Sequence, residues 1–466
     1  MSIQPVLLWS DALLFVLIAA IVALVFWARR QDALRAAWGR VLKDGMAMAA
    51  ATVLAAFVVI GLLDSLHYRP RLDAKPGETG AATARYAVEV HSALDALLSD
   101  LRQRSEKTYS APLATHLFAK EALENSTQRE FPRLKYGGAH LGADLSGHEF
   151  DIAVRVSRGC AGGAVIWLLL ATLWCRMRGL EFMAVVRVGA GDTVKGAATG
   201  AVFITLLLIL LLLGIAISLG GGYHVFGTDK VGQDVLYLSL KSIRTGLLIG
   251  TLTTLVMLPL AVLLGILAGY VGGWVDDVIQ YLYTTLSSIP GVLLIAAAVL
   301  MMQVIIDTHP DWFATSAERA DARLLALCLI LGMTSWTGVA RLLRGETLKL
   351  RELEFVLAAQ AFGVGRFAIM RRHILPNLMH IVLIALVMDF SGLVLAEAVL
   401  SYVGVGVDPS TISFGTMINT ARMELAREPM VWWSLAAAFS FMFALVLAAN
   451  LFADAVRDAF DPRSSA

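Results

Sequence analysis

Cysteine is scarce in this chain: three among 466 residues, Cys160, Cys175 and Cys328, each in or at the edge of an apolar run. An odd number of thiols in such places argues against a disulfide framework and leaves them as packing residues. An excess of one charge is missing too. Thirty-eight Lys and Arg stand against 37 Asp and Glu, a net charge of +1 with no basic face, so nothing points to nucleic acid. The motifs of several chemistries are also lacking: there is no Gly-x-x-x-x-Gly-Lys-Ser/Thr phosphate loop, no HExxH, no nucleophile elbow and no clustered Cys/His arrangement. GAGDTVKG at 189–196 comes nearest to a phosphate loop and lacks its spacing. The chain is therefore not itself an ATPase, an enzymatic role ranks last, and neither cofactor nor metal is expected.

What the chain has is apolar sequence. It is 58% hydrophobic, more than a soluble protein covers with polar groups. Runs near the ~20 residues that cross a bilayer fall at about 7–27, 46–63, 160–175, 200–220, 245–270, 288–306, 323–341, 378–400 and 431–452, nine in all, the third being short. Continuous runs exclude an alternating barrel, so the fold class is an all-α polytopic membrane protein.

The short loops give an orientation. Residues 28–45 carry Arg29, Arg30, Arg35, Arg40 and Lys43; residues 176–199 carry Arg176, Arg178, Arg187 and Lys195; the 342–377 loop is rich in Arg. The 307–322 loop holds Asp307, Asp311, Glu318 and Asp321 against Arg319. Positive loops stay cytoplasmic, which puts the N-terminus outside and the C-terminus inside. The weak point is 271–287, cytoplasmic by this count yet showing only Asp276 and Asp277. Arginines follow the first run rather than precede it, as in an uncleaved anchor.

Residues 64–158 form the large polar segment, on the outside. Val90, Leu94, Leu97, Leu98 and Leu101 mark one helix face there, and Pro112 suits the first turn of another helix. His91, His116, His140 and His148 show no ligand spacing and read as surface histidines. GADLSGHE at 142–149 echoes GTDKVGQD at 227–234, a similarity that chance covers in a Gly-rich chain.

One basic passage between two spans stands apart: EFVLAAQAFGVGRFAIMRRHILPN, residues 354–377. Phe355, Ala358, Ala359 and Phe362 recur near helical spacing, Gly363 ends the helix with a sharp turn, and Pro376 suits the start of the next span. A solvated connector does not explain an apolar face turned to water; such a face seeks a partner groove.

These residues resemble the cytoplasmic EAA loop of bacterial ABC importer permeases, in the dipeptide, oligopeptide and nickel branch. Ala358, Ala359, Gly363, Leu375 and Pro376 match its pattern, while Leu357 stands in place of the Glu and His373 in place of an Ile. FGTDKVGQDVL (226–236) resembles the branch's signature before a core span, with Gly227, Asp229, Gly232 and Asp234 in register and Gln233 where Arg is usual. GYVGGWVDDVIQYLYTTLSSIPG, AEAVLSYVGVGV and NLFADAVRDAFDPR follow in the family's order.

The resemblance implies a type I ABC importer transmembrane domain at about 240–455. It lies within a six-helix permease core at 200–463, preceded by an N-terminal extension at 1–199 with about three spans. It also implies a bacterial inner-membrane location, a second permease subunit, two ATPase subunits and a periplasmic or lipid-anchored substrate-binding protein. ATPase coupling would fall to Glu354, Phe355, Ala358, Ala359, Phe362, Gly363 and Pro376. The substrate stays open, with peptide the family default and nickel the minor option.

Two acids in the span at 378–400, Asp389 and Glu397, are candidates for the transport path, with an interhelical hydrogen bond as the alternative. Gly265, Gly269 and Gly273 repeat every fourth residue, as close helix packing requires, and Pro259 and Pro290 are candidate bends. A stand-alone secondary transporter or channel is the competing class; it leaves the EAA-like loop without a purpose.

Overall fold

The computed structural model describes residues 3–71, 86–122, 129–142, 145–178, 194–313 and 315–460. Its helices in chain order are α1 (Trp9–Ala28), α2 (Asp32–Val41), α3 (Gly45–Ser65), α4 (Ala93–Leu97), α5 (Ser99–Gln103), α6 (His148–Arg178), α7 (Val194–Gly220) and α8 (Val235–Val271). Then come α9 (Gly273–Ser288), α10 (Gly291–Thr308), α11 (Ser316–Arg351), α12 (Glu354–Ala361), α13 (Arg366–Ile369), α14 (Leu375–Val403), α15 (Phe414–Glu424) and α16 (Trp433–Phe460). Short strands β1 (Ile3–Val6), β2 (His67–Pro70) and β3 (His91–Ser92) make an antiparallel ribbon with Ile3 opposite Pro70 and Tyr68 opposite His91, and β4 (Glu121–Ala122) pairs with β5 (Arg129–Glu130).

Every apolar run of the sequence lies on a helix. Eight helices among the described residues have the length and apolarity to cross a bilayer: α3, α6, α7, α8, α10, α11, the continuous helix Arg366–Val403, and α16. The first run forms α1, a 20-residue helix whose described apolar part, Trp9–Ala23, stands apart from these eight. The run at 160–175 looked short because α6 continues on its polar side back to His148. Most of GAGDTVKG, together with Glu181, Arg187 and Asp192, lies outside the described residues, as does the end of the NLFADAVRDAFDPR block.

The chain divides into two compact units, and the division does not follow the 199/200 boundary. One comprises Met1–Leu7, Trp27–Thr245 and Ile412–Ala455, and the other Leu8–Phe26, Gly246–Thr411 and Val456–Ala466.

In the first unit α6 and α7 touch backbone to backbone. A Cβ on Gly163 would lie 2.5 Å from the Leu210 carbonyl oxygen, and one on Gly159 2.6 Å from that of Gly214. Small residues permit this approach where apolar burial alone gives helices in lipid no reason to associate. Trp167 Nε1 donates to the Phe203 carbonyl at 2.8 Å, and Trp174 stands edge-on to the same ring.

The polar segment differs from its expected helices. The Val90–Leu101 face is split into β3, α4 and α5, because Ser92 and Asp95 form a reciprocal capping box and the chain leaves helical geometry at Leu98. Leu94 is buried, whereas Leu97 is open. No helix starts at Pro112: Leu113 takes φ +57, outside right-handed helical geometry, and its amide donates to the His224 carbonyl at 2.9 Å.

In the second unit the inner half of α8 lies against α11. A Cβ on Gly265 would meet the Ala340 carbonyl at 2.8 Å, and one on Gly269 the Arg344 carbonyl at 2.8 Å. Gly273 takes no part in this packing; it opens α9 with φ +56 in open space. Pro259 lies inside α8, while Pro290 caps the start of α10 rather than bending it. Met257, Ala261, Trp336, Leu343, Leu378 and Val382 form the core between these helices. Near the other end, the Ser10 amide and hydroxyl both donate to the buried Asp321 carboxylate, fixing α1 to α11.

Candidate functional site

The passage at 354–377 folds as a helix, a sharp turn and a second helix. Leu353 is extended, so α12 begins at Glu354 and ends at Ala361, with Phe362 as its last cap. Gly363 takes φ +74, a left-handed conformation that costs other residues ~1–2 kcal/mol, and nothing crowds the place its Cβ would occupy. The Gly363 amide donates to the Gln360 carbonyl at 2.9 Å and the Val364 amide to that of Ala359 at 3.1 Å, closing the helix end.

α13 then starts at Arg366 and runs through a widened turn (Met370–Ile374) into α14. Pro376 is thus the second residue of α14 but not the start of the span, whose helix begins ten residues earlier at Arg366.

The two faces of α12 are unlike. Val356 and Ala359 are buried with Ile369 and Ile374 in the core shared with α8, α11 and α14. Ala359 therefore belongs to the inner seat, not to the outward face where its spacing from Phe355 suggested it. Phe355, Ala358 and Phe362 remain outward, joined by Leu353, Leu357 and Phe367. Phe362 is 87% exposed and Phe367 72%. Burying a side chain of this size stabilises by ~1.5–3 kcal/mol, so the seat holds α12 in place while the outward face gains nothing within this chain.

Next to this loop α9 carries Asp276, and Arg344 of α11 grips its carboxylate with two bonds of 2.6 Å. The guanidinium holds the Asp276 carboxyl below its usual range. Asp276, one of the two acids of the 271–287 segment, is thus paired with Arg344.

The 226–236 passage is a tight turn in which Gly227, Thr228, Gly232 and Asp234 are buried while Lys230, Val231 and Gln233 are exposed. Asp229 accepts from the amides of Val231 and Gln233 at 3.0 and 2.8 Å, and Asp234 caps α8 through the amides of Leu236 and Tyr237. Gly227 (φ +70) and Gly232 (φ +78) lie so close to residues 106–112 that a Cβ would overlap the carbonyls of Ser110 and Glu106 respectively. Trp433 Nε1 donates to the Thr228 carbonyl at 2.9 Å.

At the centre sits His224, buried between Asp234 (Nδ1 to Oδ2, 2.8 Å) and Glu106 (Nε2 to Oε1, 3.4 Å). Glu106 also accepts the amides of Lys135, Tyr136 and Gly137. Burial alone would lower the His224 pKa, but the two carboxylates raise it to about 9. Burial likewise opposes ionisation of Glu106, yet His224 and the three amides hold it at about 2.

The chain matches the family model for the binding-protein-dependent transport system inner membrane component over residues 261–466. It is similar to the oligopeptide transport system permease protein OppC of Mycobacterium bovis, 31% identical over 244 residues, 52% of this chain and 77% of that one. It is also similar to the dipeptide transport system permease protein DppC of Bacillus subtilis (28% over 240 residues; 52% and 69%) and to the glutathione transport system permease protein GsiD of Pectobacterium atrosepticum (31% over 242 residues; 52% and 73%). The chain belongs to this family of transport permeases. It is the permease subunit of an ABC importer, and not a stand-alone transporter or channel.

In this permease Asp389 and Glu397 lie on one helix eight residues apart, about 12 Å along its axis. Glu397 is buried and accepts from Ser401 Oγ at 2.7 Å, whereas Asp389 Oδ2 is sealed from solvent with no hydrogen-bond partner among the described residues. Among those residues no group of His, Cys, Asp or Glu is arranged to hold a metal ion. Of the four histidines, His140 contacts Asp151 at 2.7 Å and His148 lies against Tyr223.

Sequence reasoning missed the clasp around the turn: Glu106, His224 and a second cluster in which Lys241 meets Asp95 at 2.8 Å and Asp64 at 3.2 Å. Only one signal was legible, the unusual presence of Lys241 so near an apolar run. Its partners lie 146 and 177 positions away, beyond any periodicity.

Proposed function

We propose that this permease imports peptides or similar small solutes, and that residues 354–363 are the helix through which ATPase subunits drive it. In this reading it works with a second permease subunit, two ATPase subunits and a periplasmic or lipid-anchored substrate-binding protein. Its N-terminus and residues 64–158 lie outside and its C-terminus in the cytoplasm of a bacterial cell. The observation that carries the reading is the two-sided α12: a firm inner seat at Val356 and Ala359 beneath an outward face of Phe355, Ala358 and Phe362. A seated helix with an unfilled apolar face transmits a push from a partner as rigid-body movement. Asp389 and Glu397 are proposed to face the transport path, Asp389 because its buried Oδ2 has no hydrogen-bond partner among the described residues.

Uptake of a labelled oligopeptide into cells, with pull-down of the ATPases, tests the reading. Phe362→Asp and Gly363→Val should leave the permease in the membrane, abolish uptake and release the ATPases. Ala359→Glu is unsuited, because it would damage the inner seat itself. Parental uptake with both variants would make the loop a mere connector, and uptake of nickel but not peptide would reassign the substrate.

A further inference from the structure

Beside the outward face of α12 is a recess of about 460 Å³, within the range of sites that hold a side chain or small ligand. Tyr270 and Val271 at the end of α8 line it, with Arg351 and Glu352 after α11, Leu357 and Gln360 of α12, and Val364 and Arg366 beyond the turn. Gln360 Nε2 reaches the Tyr270 hydroxyl at 3.4 Å across its floor.

The charges here are incompletely paired. Arg351 uses Nε and Nη2 on Glu352 Oε1, both at 3.1 Å, which leaves Nη1 without a carboxylate. No carboxylate among the described residues pairs with Arg366. The position where the resembling loop carries a Glu is Leu357 here, 45% exposed on the wall of the recess. The loop thus presents cations and apolar carbon where its relatives' pattern would present an acid.

We propose that this recess receives a carboxylate side chain of the ATPase partner, held by Arg366 and the free edge of Arg351. The proposal rests on the coupling reading above and adds the sign of the contact: the groove seating α12 is apolar, with an acid at the rim that meets Arg366. A planar guanidinium grips a carboxylate through two parallel bonds, so the contact fixes register as well as proximity. Leu357 then packs beside the incoming acid's aliphatic carbons, a place where the motif Glu would repel it.

The test uses the complex purified with its ATPase subunits, comparing Arg366→Glu, Arg366→Gln, Arg371→Glu and Phe362→Asp, each first checked for membrane level. Arg371 is exposed and outside the recess, so it controls for general cytoplasmic charge. Arg366→Glu should lower ATPase retention by roughly tenfold or more, as like charges do when juxtaposed at an interface. Arg366→Gln should retain less than the parent and lose the parent's sensitivity to added salt, while Arg371→Glu stays near parental. Release by Phe362→Asp with full retention by Arg366→Glu would overturn the acid contact and leave the coupling reading intact. Equal release by Arg366→Glu and Arg371→Glu would also overturn it, since the charge would then act without a site. Retention by all four variants would overturn both proposals.

Discussion

The turn at 226–236 and the loop at 354–377 both rest on glycines in left-handed conformations, but for different reasons. At Gly232 the φ of +78 coincides with the Glu106 carbonyl filling the place of a side chain. At Gly363 the φ of +74 faces open space. The first turn is complete: its acids cap amides, its histidine is held by two carboxylates, and residues 106–113 cover it. The loop is complete only on its inner side, and its outward face leaves large apolar groups and arginines unused. A region finished within its own chain is built for stability; one finished on a single side is built for a partner.

The comparison breaks most visibly at its glycines. Gly232→Ala combines left-handed strain with backbone overlap and should destabilise the first unit by roughly 2–5 kcal/mol. Gly363→Ala incurs only the strain, about 1–2 kcal/mol, confined to its loop. Thermal unfolding of the two variants in detergent reads the difference; equal losses would mean the crowding at Gly232 relaxes freely.

A second effect, of a few kcal/mol, concerns pH. The His224 pKa is raised from 6.5 to about 9, so its contribution is fully present below pH 6.5 and is lost as pH rises through 9. The Glu106 pKa is lowered from 4.5 to about 2, so its contribution is present above 4.5 and is lost as pH falls through 2. Asp234 and Glu106 are the charges that face His224. Hydrogen exchange at 222–236, corrected for intrinsic rate, should stay slow from about pH 4.5 to 6.5 and quicken toward pH 9, and His224→Gln should flatten the alkaline limb.

The smallest change is expected at Arg371→Gln, where a solvent-exposed charge contributes ~0–1 kcal/mol. ATPase retention and uptake near parental values are the outcome, and a large loss at this position would extend the contact beyond the recess.

Much of this architecture was legible in order of residues. The spans follow from run length, and Gly363 and the pattern around it announced a helix closed by a left-handed residue. The glycine repeat was legible for Gly265 and Gly269, which meet α11, but not for Gly273, whose role is conformational. Spacing also misassigned Ala359, because on an eight-residue helix adjacent positions straddle the boundary between seat and surface. The clasp was illegible: Glu106 and His224 are 118 residues apart, and only the folded external segment brings them together. Capping chemistry at Ser92 and Asp95, rather than apolar spacing, decided where α4 starts.

Hydrogen exchange of the full chain with and without its ATPase subunits, followed at 353–367 and at 222–236 in one experiment, tests the central contrast most directly. The account predicts that ATPases slow exchange across 353–367 while 222–236, already protected, does not change. Unchanged exchange at 353–367, or new protection appearing only at 222–236, would contradict it.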